Sequence, residues 1–245
     1  MILAMNSLTK SFEVRSYETD FSKKLKPASF MNYAQYMAEE HAGKLSFGYD
    51  NLIENQNVWV LSRIHVVFKE YPIWRDNISL KTWHKGTERL FGVRDFRLKG
   101  ESGEDMILAT SSWLIIDINT RKIQRVDKIL SNEDEGVLRE SALEESAGKI
   151  EIPSDCKILY SRVVAYSDID VNRHTNNARY VEWATDALFS ISGESCEIRE
   201  MTVNFNSECR LGEKIDICAH KNEKNVVIEG RREGTNIFTV LFKTL

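Results

Sequence analysis

The sequence predicts an α+β fold in which one unit occurs twice, each copy a curved antiparallel sheet wrapped around a long helix. Three observations predict it. The order strand, helix, four strands occurs twice along the 245 residues. Short segments match between the halves: "NYAQY" (32–36) aligns with "NNARY" (176–180) at an offset of 144 residues, and "FKEYPIWRDNISL" (68–80) with "FNSECRLGEKIDI" (205–217) at an offset of 137. Both helical segments are apolar around much of their circumference, as expected for a helix that a curved sheet surrounds.

The first half contains one helix-like segment followed by strand-like segments. Residues 27–48 carry apolar residues at helical spacing, with Ser29 as a possible N-cap. Turns rich in glycine and charge, such as "KGESGED" (99–105), separate several of the strands. The predicted strands are 10–17, 58–68, 77–84, 89–99 and 106–118.

An acidic segment separates the halves, because residues 131–150 contain few large apolar residues. We therefore predict an N-terminal unit at 1–130, an acidic linker at 131–155 and a C-terminal unit at 156–245. The last has a predicted helix at 176–190 and strands at 157–166, 198–205, 213–220, 225–232 and 237–244. Two such units can pair their sheets edge to edge, which covers exposed strand edges and describes a double hotdog.

Composition excludes several classes of protein. Hydrophobic residues make up 42% of the chain and aromatics 10%, so a packed core is expected rather than disorder. The net charge of −4 argues against a dedicated nucleic-acid binder. The start, "MILAMNSLTKSFEV", has no basic region before its short apolar run, and no apolar run approaches the roughly 20 residues of a membrane helix. We expect a cytoplasmic protein with no membrane partner.

The cysteines and histidines predict neither disulfides nor a metal site. Cys156, Cys196, Cys209 and Cys218 form no CxxC pair, which indicates free thiols in a reducing compartment. The five histidines show no HxH or HExxH spacing. We expect no cofactor.

The stretch "DIDVNRHTNNARYVEW" (168–183) carries the candidate chemistry. Asp170, Asn172 and His174 alternate immediately before a helix, and in an extended loop this spacing aims all three the same way. Ordinary turn and N-cap residues are the structural alternative. At the offset of "NYAQY" and "NNARY" the triplet falls on Lys26, Ala28 and Phe30, so the scaffold is expected to repeat without the triplet.

The same residues resemble the signature of the acyl-acyl-carrier-protein thioesterases, a family whose motif runs Asp-x-Asn-x-His-x-Asn-Asn-x-x-Tyr. Each named position matches from Asp170 to Tyr180. Three further segments are similar to family elements: "NSECRLGE" (206–213), "WLIIDINTRK" (113–122) and "GTERLFGVRDF" (86–96). The resemblance covers nearly the whole chain and implies a double hotdog that hydrolyses fatty acyl thioesters of acyl carrier protein.

The implied mechanism uses water and a polarised carbonyl. Asp170 would act as general base on water, or as a nucleophile forming an anhydride. His174 would orient the water or stabilise charge, and Asn172 would hold the nucleophile or the carbonyl. Backbone N–H groups at the start of the helix near Asn176 would stabilise the oxyanion. No G-x-S-x-G elbow is present, because "GESCE" lacks the final glycine.

Glu208 and Cys209 are ambiguous from the sequence. The family resemblance implies that Glu208 belongs to the catalytic group, yet alternation gives Cys209 the helix-facing parity of the neighbouring strands. Only a bulge or a strand end near Asn206–Ser207 would turn Glu208 toward the loop. A nucleophilic Cys209–His174 pair stays open.

Alternatives to the carrier-protein substrate are an acyl-CoA thioesterase, a hotdog dehydratase and a non-catalytic acyl-binding module. The basic segment "SKKLK" (22–26), Arg210, Lys214 and "GRRE" (230–233) are candidate contacts for an acidic carrier protein. An exposed sheet edge could also mediate a homodimer.

Overall fold

The computed structural model describes residues 6–130, 136–153, 157–193, 196–222 and 225–245. These residues divide into two compact units. The first contains residues up to Lys26 and Asn32–Ala147, and the second contains Pro27–Met31 and Gly148–Leu245. No cis peptide bond occurs among the described residues.

The predicted order of strand, long helix and four strands is confirmed in both halves. Two short helices and one short strand are additional in the first half. Its elements are β1 (Leu8–Glu13), α1 (Pro27–Lys44), α2 (Tyr49–Ile53), β2 (Asn57–Phe68), β3 (Asn77–Glu88), β4 (Phe91–Lys99), β5 (Asp105–Asp117), β6 (Ile123–Gln124) and α3 (Val126–Ile129). The second half has β7 (Lys157–Val163), α4 (Asn177–Ser192), β8 (Ile198–Phe205), β9 (Lys214–Lys221), β10 (Asn225–Arg232) and β11 (Thr235–Thr244).

Both halves have antiparallel sheets of the same strand order. The first runs β1-β3-β4-β5-β2, and the second runs β7-β9-β10-β11-β8. Because side chains alternate across a strand, each register row places one residue per strand on the same face. One row of the first sheet is Leu80, Leu98, Ile107 and Phe68, all buried. An equivalent buried row of the second sheet is Ala219, Ile228, Val240 and Val203.

The first helix begins earlier than predicted. Pro27 is its first residue and Lys26 its N-cap, so the expectation of Ser29 as N-cap is wrong. Proline suits the first helical position because its fixed φ is already helical and its missing N–H would have no partner there. Ser29 lies inside the first turn and is buried.

The second helix is capped at both ends. Asn176 is its N-cap, and the Asn176 side chain accepts a hydrogen bond from the Ala178 N–H at 2.8 Å. At the other end Gly193 has φ of 78°, a conformation that glycine adopts without steric cost. The helix contacts β9, β10 and β11 of its own unit.

Glu140, in the segment predicted as an acidic linker, contacts the first sheet. The Trp83 indole donates to the Glu140 carbonyl at 2.8 Å, and the Glu140 carboxylate pairs with Lys81 and Arg97 at 2.8 and 2.5 Å. Residues 131–135 and 154–155 of the predicted linker lie outside the described residues. The domain boundaries at 130 and 156 stay a prediction.

Candidate active site

Asp170 closes a tight turn before the second helix. The Asp170 Oδ1 accepts the backbone N–H groups of Asn172 at 2.8 Å and His174 at 3.4 Å, and the Asp170 N–H donates to the His174 carbonyl at 2.9 Å. Arg173 has φ of 63°, which closes the turn, and Asn172 is exposed at its tip. The first oxygen of the Asp170 carboxylate is therefore committed to the backbone.

The same turn occurs in the first half at an offset of 150 residues. The Asp20 Oδ1 accepts the N–H groups of Ser22 at 2.8 Å and Lys24 at 3.0 Å, and Lys23 has φ of 65°. The sequence comparison at an offset of 144 was therefore wrong for this loop, because Asp170 corresponds to Asp20 and not to Lys26. The turn itself is part of the repeated scaffold.

The offset of 137 residues predicted for the strand pair following each helix is confirmed at the loop that faces the turn. Leu25 N–H donates to the Pro72 carbonyl at 2.8 Å, and Thr175 N–H donates to the Cys209 carbonyl at the same distance. Both turns are thus fixed by one backbone hydrogen bond to the equivalent point of a neighbouring loop. What distinguishes the halves must lie in the side chains placed on this common frame.

Glu208 leaves the alternation of its strand. The strand β8 ends at Phe205, and the N–H groups of Asn206 and Ser207 both donate to the Ile237 carbonyl, at 2.8 and 3.0 Å. Two consecutive residues opposite one carbonyl break the two-residue period. The strand end anticipated near Asn206–Ser207 is therefore present, and it frees Glu208 to turn toward the helix.

The imidazole of His174 and the carboxylate of Glu208 meet in front of the second helix. The His174 Nε2 lies 3.2 Å from the Glu208 Oε1, and the two side chains are 26% and 27% exposed. The Arg210 guanidinium lies 3.3 Å from the same carboxylate oxygen and is itself largely exposed. A neutral imidazole that donates from Nε2 to a carboxylate keeps its Nδ1 lone pair as a proton acceptor.

The first half holds a different pair at the corresponding positions. Lys24 corresponds to His174 and Tyr71 to Glu208, and the Lys24 ammonium lies 5.4 Å from the centre of the Tyr71 ring. An amine above a phenol ring is a cation–π contact, and it lacks the imidazole and carboxylate that meet in the second half. The chemistry of the two turns differs in this pair rather than in the aspartate.

Cys209 points into the core. Its side chain is fully buried, and burial raises the pKa of the Cys209 thiol. The Cys209 N–H donates to the Tyr180 hydroxyl at 2.9 Å, which ties the loop to the second helix. A protonated, inaccessible thiol is a poor nucleophile, so the geometry argues against the Cys209–His174 pair.

Most backbone N–H groups in the first turn of α4 are already hydrogen-bonded. The Ala178 N–H is bonded to the Asn176 side chain and the Arg179 N–H to the Asn176 carbonyl, at 2.8 and 2.9 Å. Within the described residues this leaves the Asn177 N–H as the first-turn donor that the cap does not use. Sequence reasoning named the region near Asn176 but not this group, which depends on the bonding inside the cap.

Comparison with known proteins then identifies the family. Residues 5–133 match the family model of the acyl-ACP thioesterase N-terminal domain (ACP, acyl carrier protein), and residues 155–237 match that of the C-terminal domain. The chain belongs to the acyl-ACP thioesterase family. The resemblance seen in the motif from Asp170 to Tyr180 is thereby confirmed, and the family is one of thioester hydrolases.

Plant members of the family are similar over most of this chain. It is 27% identical to oleoyl-acyl carrier protein thioesterase 2 of Arabidopsis thaliana, over 94% of this chain and 67% of that protein. It is 29% identical to the palmitoyl-acyl carrier protein thioesterase of Gossypium hirsutum, over 82% of this chain and 52% of that protein. The chain thus spans about half to two thirds of the length of these relatives.

Solved structures of the family share the fold. An acyl-ACP thioesterase from Bacteroides thetaiotaomicron is 25% identical, with a TM-score of 0.88 over 100% of both chains. The 12:0-ACP thioesterase from Umbellularia californica is 21% identical, with a TM-score of 0.88 over 98% of this chain and 97% of that one, which shows the fold alone. The double-hotdog prediction is confirmed.

Two further observations concern metal sites and membrane-spanning helices. Within the ranges that the structure describes, no group of three His, Cys, Asp or Glu side chains is arranged to hold a metal ion. None of the helices in those ranges has the length and apolar character needed to cross a membrane. The cytoplasmic location and the homodimer stay predictions.

Proposed function

We propose that this protein hydrolyses the thioester between a fatty acid and the phosphopantetheine arm of acyl carrier protein, releasing free fatty acid and the carrier thiol. Family membership supports the reaction class. The observation that carries the proposal for this chain is the His174–Glu208 contact of 3.2 Å, because the repeated scaffold has Lys24 and Tyr71 instead. A thiolate is a good leaving group because a thiol pKa is about 8.5, so activated water is a sufficient nucleophile for hydrolysis.

Water adds its oxygen to the carbonyl carbon and gives a proton to the base, and the sulfur leaves with a proton returned to it. Two groups are candidates for the base. The imidazole of His174 can accept through Nδ1 while Glu208 stabilises the imidazolium. Asp170 can accept through Oδ2, or attack directly, because only its Oδ1 is bonded to the turn.

The remaining groups stabilise and orient. The Asn177 N–H, at the positive end of the dipole of α4, would donate to the oxygen of the tetrahedral intermediate. Asn172 is exposed at the tip of the turn, where its amide would contact the entering thioester. The site residues of the proposal are therefore Asp170, Asn172, His174 and Glu208.

A matched set of variants tests the proposal. Thiol release is measured with acyl carrier protein thioesters of graded chain length and with the matched CoA thioesters. Glu208→Gln keeps the size of the side chain and removes the charge, and we expect kcat to fall about 100-fold. Absence of thiol release from every carrier-protein thioester would contradict the function. Equal kcat/KM for the CoA and carrier-protein thioesters would mean that acyl carrier protein is not the specific acyl donor.

The two candidate bases are separated by the repeat itself. Asp170→Asn and Asp20→Asn both preserve a side-chain oxygen that can accept in the turn, so both should fold. If Asp170 is the base, Asp170→Asn loses at least about 100-fold in kcat while Asp20→Asn is unchanged. If His174 is the base, Asp170→Asn stays within about tenfold of the wild type. Unchanged acyl-carrier-protein binding in Asp170→Asn, with no turnover in either protein, would instead indicate a binding module.

A further inference from the structure

A second polar cluster lies inside the first unit, away from the candidate active site. The register places His84 of β3 opposite Arg94 of β4, and Arg94 opposite Ser111 of β5. His41 of α1 reaches the same point, since the Arg94 Nη1 lies 2.8 Å from the His41 Nδ1. The side chains belong to the interior, because His41, His84 and Arg94 are 0%, 3% and 5% exposed.

Arg94 is a buried cation that pairs with no carboxylate in the part of the chain that the structure describes. Its Nη1 contacts the His41 ring and donates to the Thr82 hydroxyl at 3.3 Å. Burial alone lowers the pKa of Arg94, to about 9, so the guanidinium keeps its charge at neutral pH. Both of these contacts use Nη1, and no acidic side chain among the described residues pairs with the guanidinium. Asp95 has the opposite parity on β4, and its carboxylate accepts the Ala142 N–H.

His84 supplies the second, independent observation. Its Nε2 is buried and has no hydrogen-bond partner among the described residues. Burial first, and then the charge of Arg94, lower the pKa of His84 to about 4, so the ring is neutral and this nitrogen is a bare acceptor. Buried polar atoms are nearly always paired in native proteins. A buried cation and a buried acceptor thus lie on neighbouring strands.

We propose that the first unit binds the carboxyl group of an aliphatic acid between Arg94 and His84. The edge of the guanidinium formed by Nε and Nη2 presents two parallel N–H groups, which is the geometry that holds a carboxylate in a bidentate pair. The ligand is aliphatic because apolar rings border the cluster. The Phe47 ring lies 5.5 Å from that of His84, and Trp59 packs over Gly92 beside it.

Binding of the carboxylate to this site is coupled to the uptake of one proton. A bare carboxylate would face the lone pair of the His84 Nε2, so the stable arrangement shares one proton between the two groups. That proton comes from solvent, because the acid is ionised and the ring is neutral beforehand. The other groups around the site do not supply it: α1 contributes His41, already an acceptor from Arg94, and β5 and β2 contribute Ser111 and Ile64.

This site is distinct from the reacting groups, because a thioester carbonyl carries no charge for Arg94 to neutralise. The carboxyl group belongs either to a free fatty acid or to the far end of an acyl chain. The binding test below needs no turnover, so it can fail or succeed independently of the proposed hydrolysis.

Calorimetric titration with dodecanoate tests the proposal, with dodecanol and methyl dodecanoate as matched ligands. We expect the acid to bind at least tenfold more tightly than either. Arg94→Met should lose at least tenfold of that affinity, whereas Arg97→Met, on the same strand with the opposite parity, should not. Equal binding of acid and alcohol, or an unchanged affinity in Arg94→Met, would overturn the proposal. If Arg94→Met fails to fold, Arg94→Lys, which keeps the charge and loses the paired N–H edge, decides.

The proton gives a readout that simple packing would not move. Uptake of about one proton means that the dissociation constant rises about tenfold between pH 7 and pH 8. His84→Gln places an amide that can donate directly to the carboxylate, so it should bind without this pH dependence. An identical pH dependence in wild type and His84→Gln would contradict the assigned role of His84.

The source of the carboxyl group is decided on the working enzyme. If it is a free fatty acid, dodecanoate inhibits turnover of methyl-ended acyl carrier protein thioesters, and Arg94→Met relieves the inhibition. If it is the end of an acyl chain, a carboxyl-ended thioester has the higher kcat/KM in wild type and loses that advantage in Arg94→Met. The proposal is overturned if the protein binds no dodecanoate and shows neither of these two effects.

Discussion

The pair His174 and Glu208, rather than Asp170, distinguishes the candidate active turn from its copy in the first half. Asp170 and Asp20 make the same bonds to their backbones, so an aspartate at this position is explained by the turn alone. The exchange of Lys24 and Tyr71 for His174 and Glu208 replaces a fixed charge above a ring with an imidazole that a carboxylate orients. The turn therefore forms in the first half without the His174–Glu208 pair.

The thiol beside the glutamate offers a test at the residue scale. Burial raises the pKa of Cys209, so the thiol stays protonated and the side chain serves as a small hydrophobe. We expect Cys209→Ala to keep kcat within about twofold and to lower the free energy of unfolding by about 1 kcal/mol. Thiol release and urea unfolding measure the two effects. A loss of about 100-fold in kcat with unchanged stability would return the thiol to the mechanism.

The helices and strands were predictable where their sequence patterns are periodic. Strand and helix order followed from alternation and helical spacing, and the loop offset of 137 followed from two segments that both open on Phe and carry an acidic residue near the turn. The turn before each helix escaped, because Lys23 and Arg173 close it with positive φ and neither is the glycine that signals such a conformation. Without the turn, "NYAQY" and "NNARY" set the alignment, and the equivalence of Asp20 and Asp170 was missed.

Glu208 shows the same limit within a strand. Alternation alone assigns it to the outer face, and only the shared hydrogen bonds of Asn206 and Ser207 to Ile237 reveal the break. A bulge at a strand end costs little and leaves no compositional mark in these residues. The family motif compensated for this, since it named the glutamate without reference to periodicity.

The caps of the two long helices give a matched prediction at the element scale. Asn176 and Lys26 have nearly the same backbone angles, with φ of −60° and −67°, but only Asn176 accepts a hydrogen bond from the first turn. Asn176→Ala should therefore cost about 1 kcal/mol of stability. Lys26→Asn should add about 1 kcal/mol, because the new amide can accept the Ala28 N–H. Urea unfolding of both variants measures the difference, and equal shifts of the same sign would contradict the assignment.

Tyr180 fastens the loop of Glu208 to the second helix. In the first half the corresponding residues are Phe30 and Pro72, so the hydroxyl and the N–H that meets it are both missing there. Tyr180→Phe leaves the buried Cys209 N–H without its acceptor, which should cost about 1–3 kcal/mol. We also expect kcat to fall more than KM rises, because Glu208 adjoins the released residue. Loss of stability with unchanged kcat would show that the loop holds its shape without this bond.

At the scale of the whole molecule, duplication has left each unit with a different polar interior. The second unit places its polar groups at the half-exposed start of its helix, where they can meet a substrate. The first unit buries Arg94 with His41 and His84 inside its core. Such a cluster costs stability unless it is compensated, so its energetic signature should appear in the unfolding of the free protein.

The pH dependence of unfolding is that signature. The pKa of His84 is about 4 in the folded protein and near 6.5 when unfolded, so between these values the unfolded chain binds more protons. Stability should rise as the pH increases from 4 to 6.5, and His84 accounts for about 3 kcal/mol of this rise. Asp95 acts in the opposite direction, because burial raises the pKa of its carboxyl, but its contribution is common to wild type and to variants of His84.

The contribution of His84 is obtained as a difference between proteins. Urea unfolding from pH 4 to 8 is compared for wild type and His84→Gln. His84→Gln should flatten the rise below pH 6.5. The direction follows from the neutral imidazole: acid must protonate it, and the folded state resists this first because the ring is buried and then because the charge of Arg94 stands beside it. If the curves of His84→Gln and wild type are parallel, the cluster is open to water and to anions from the medium, and the unpaired charge that underlies the carboxylate site does not exist.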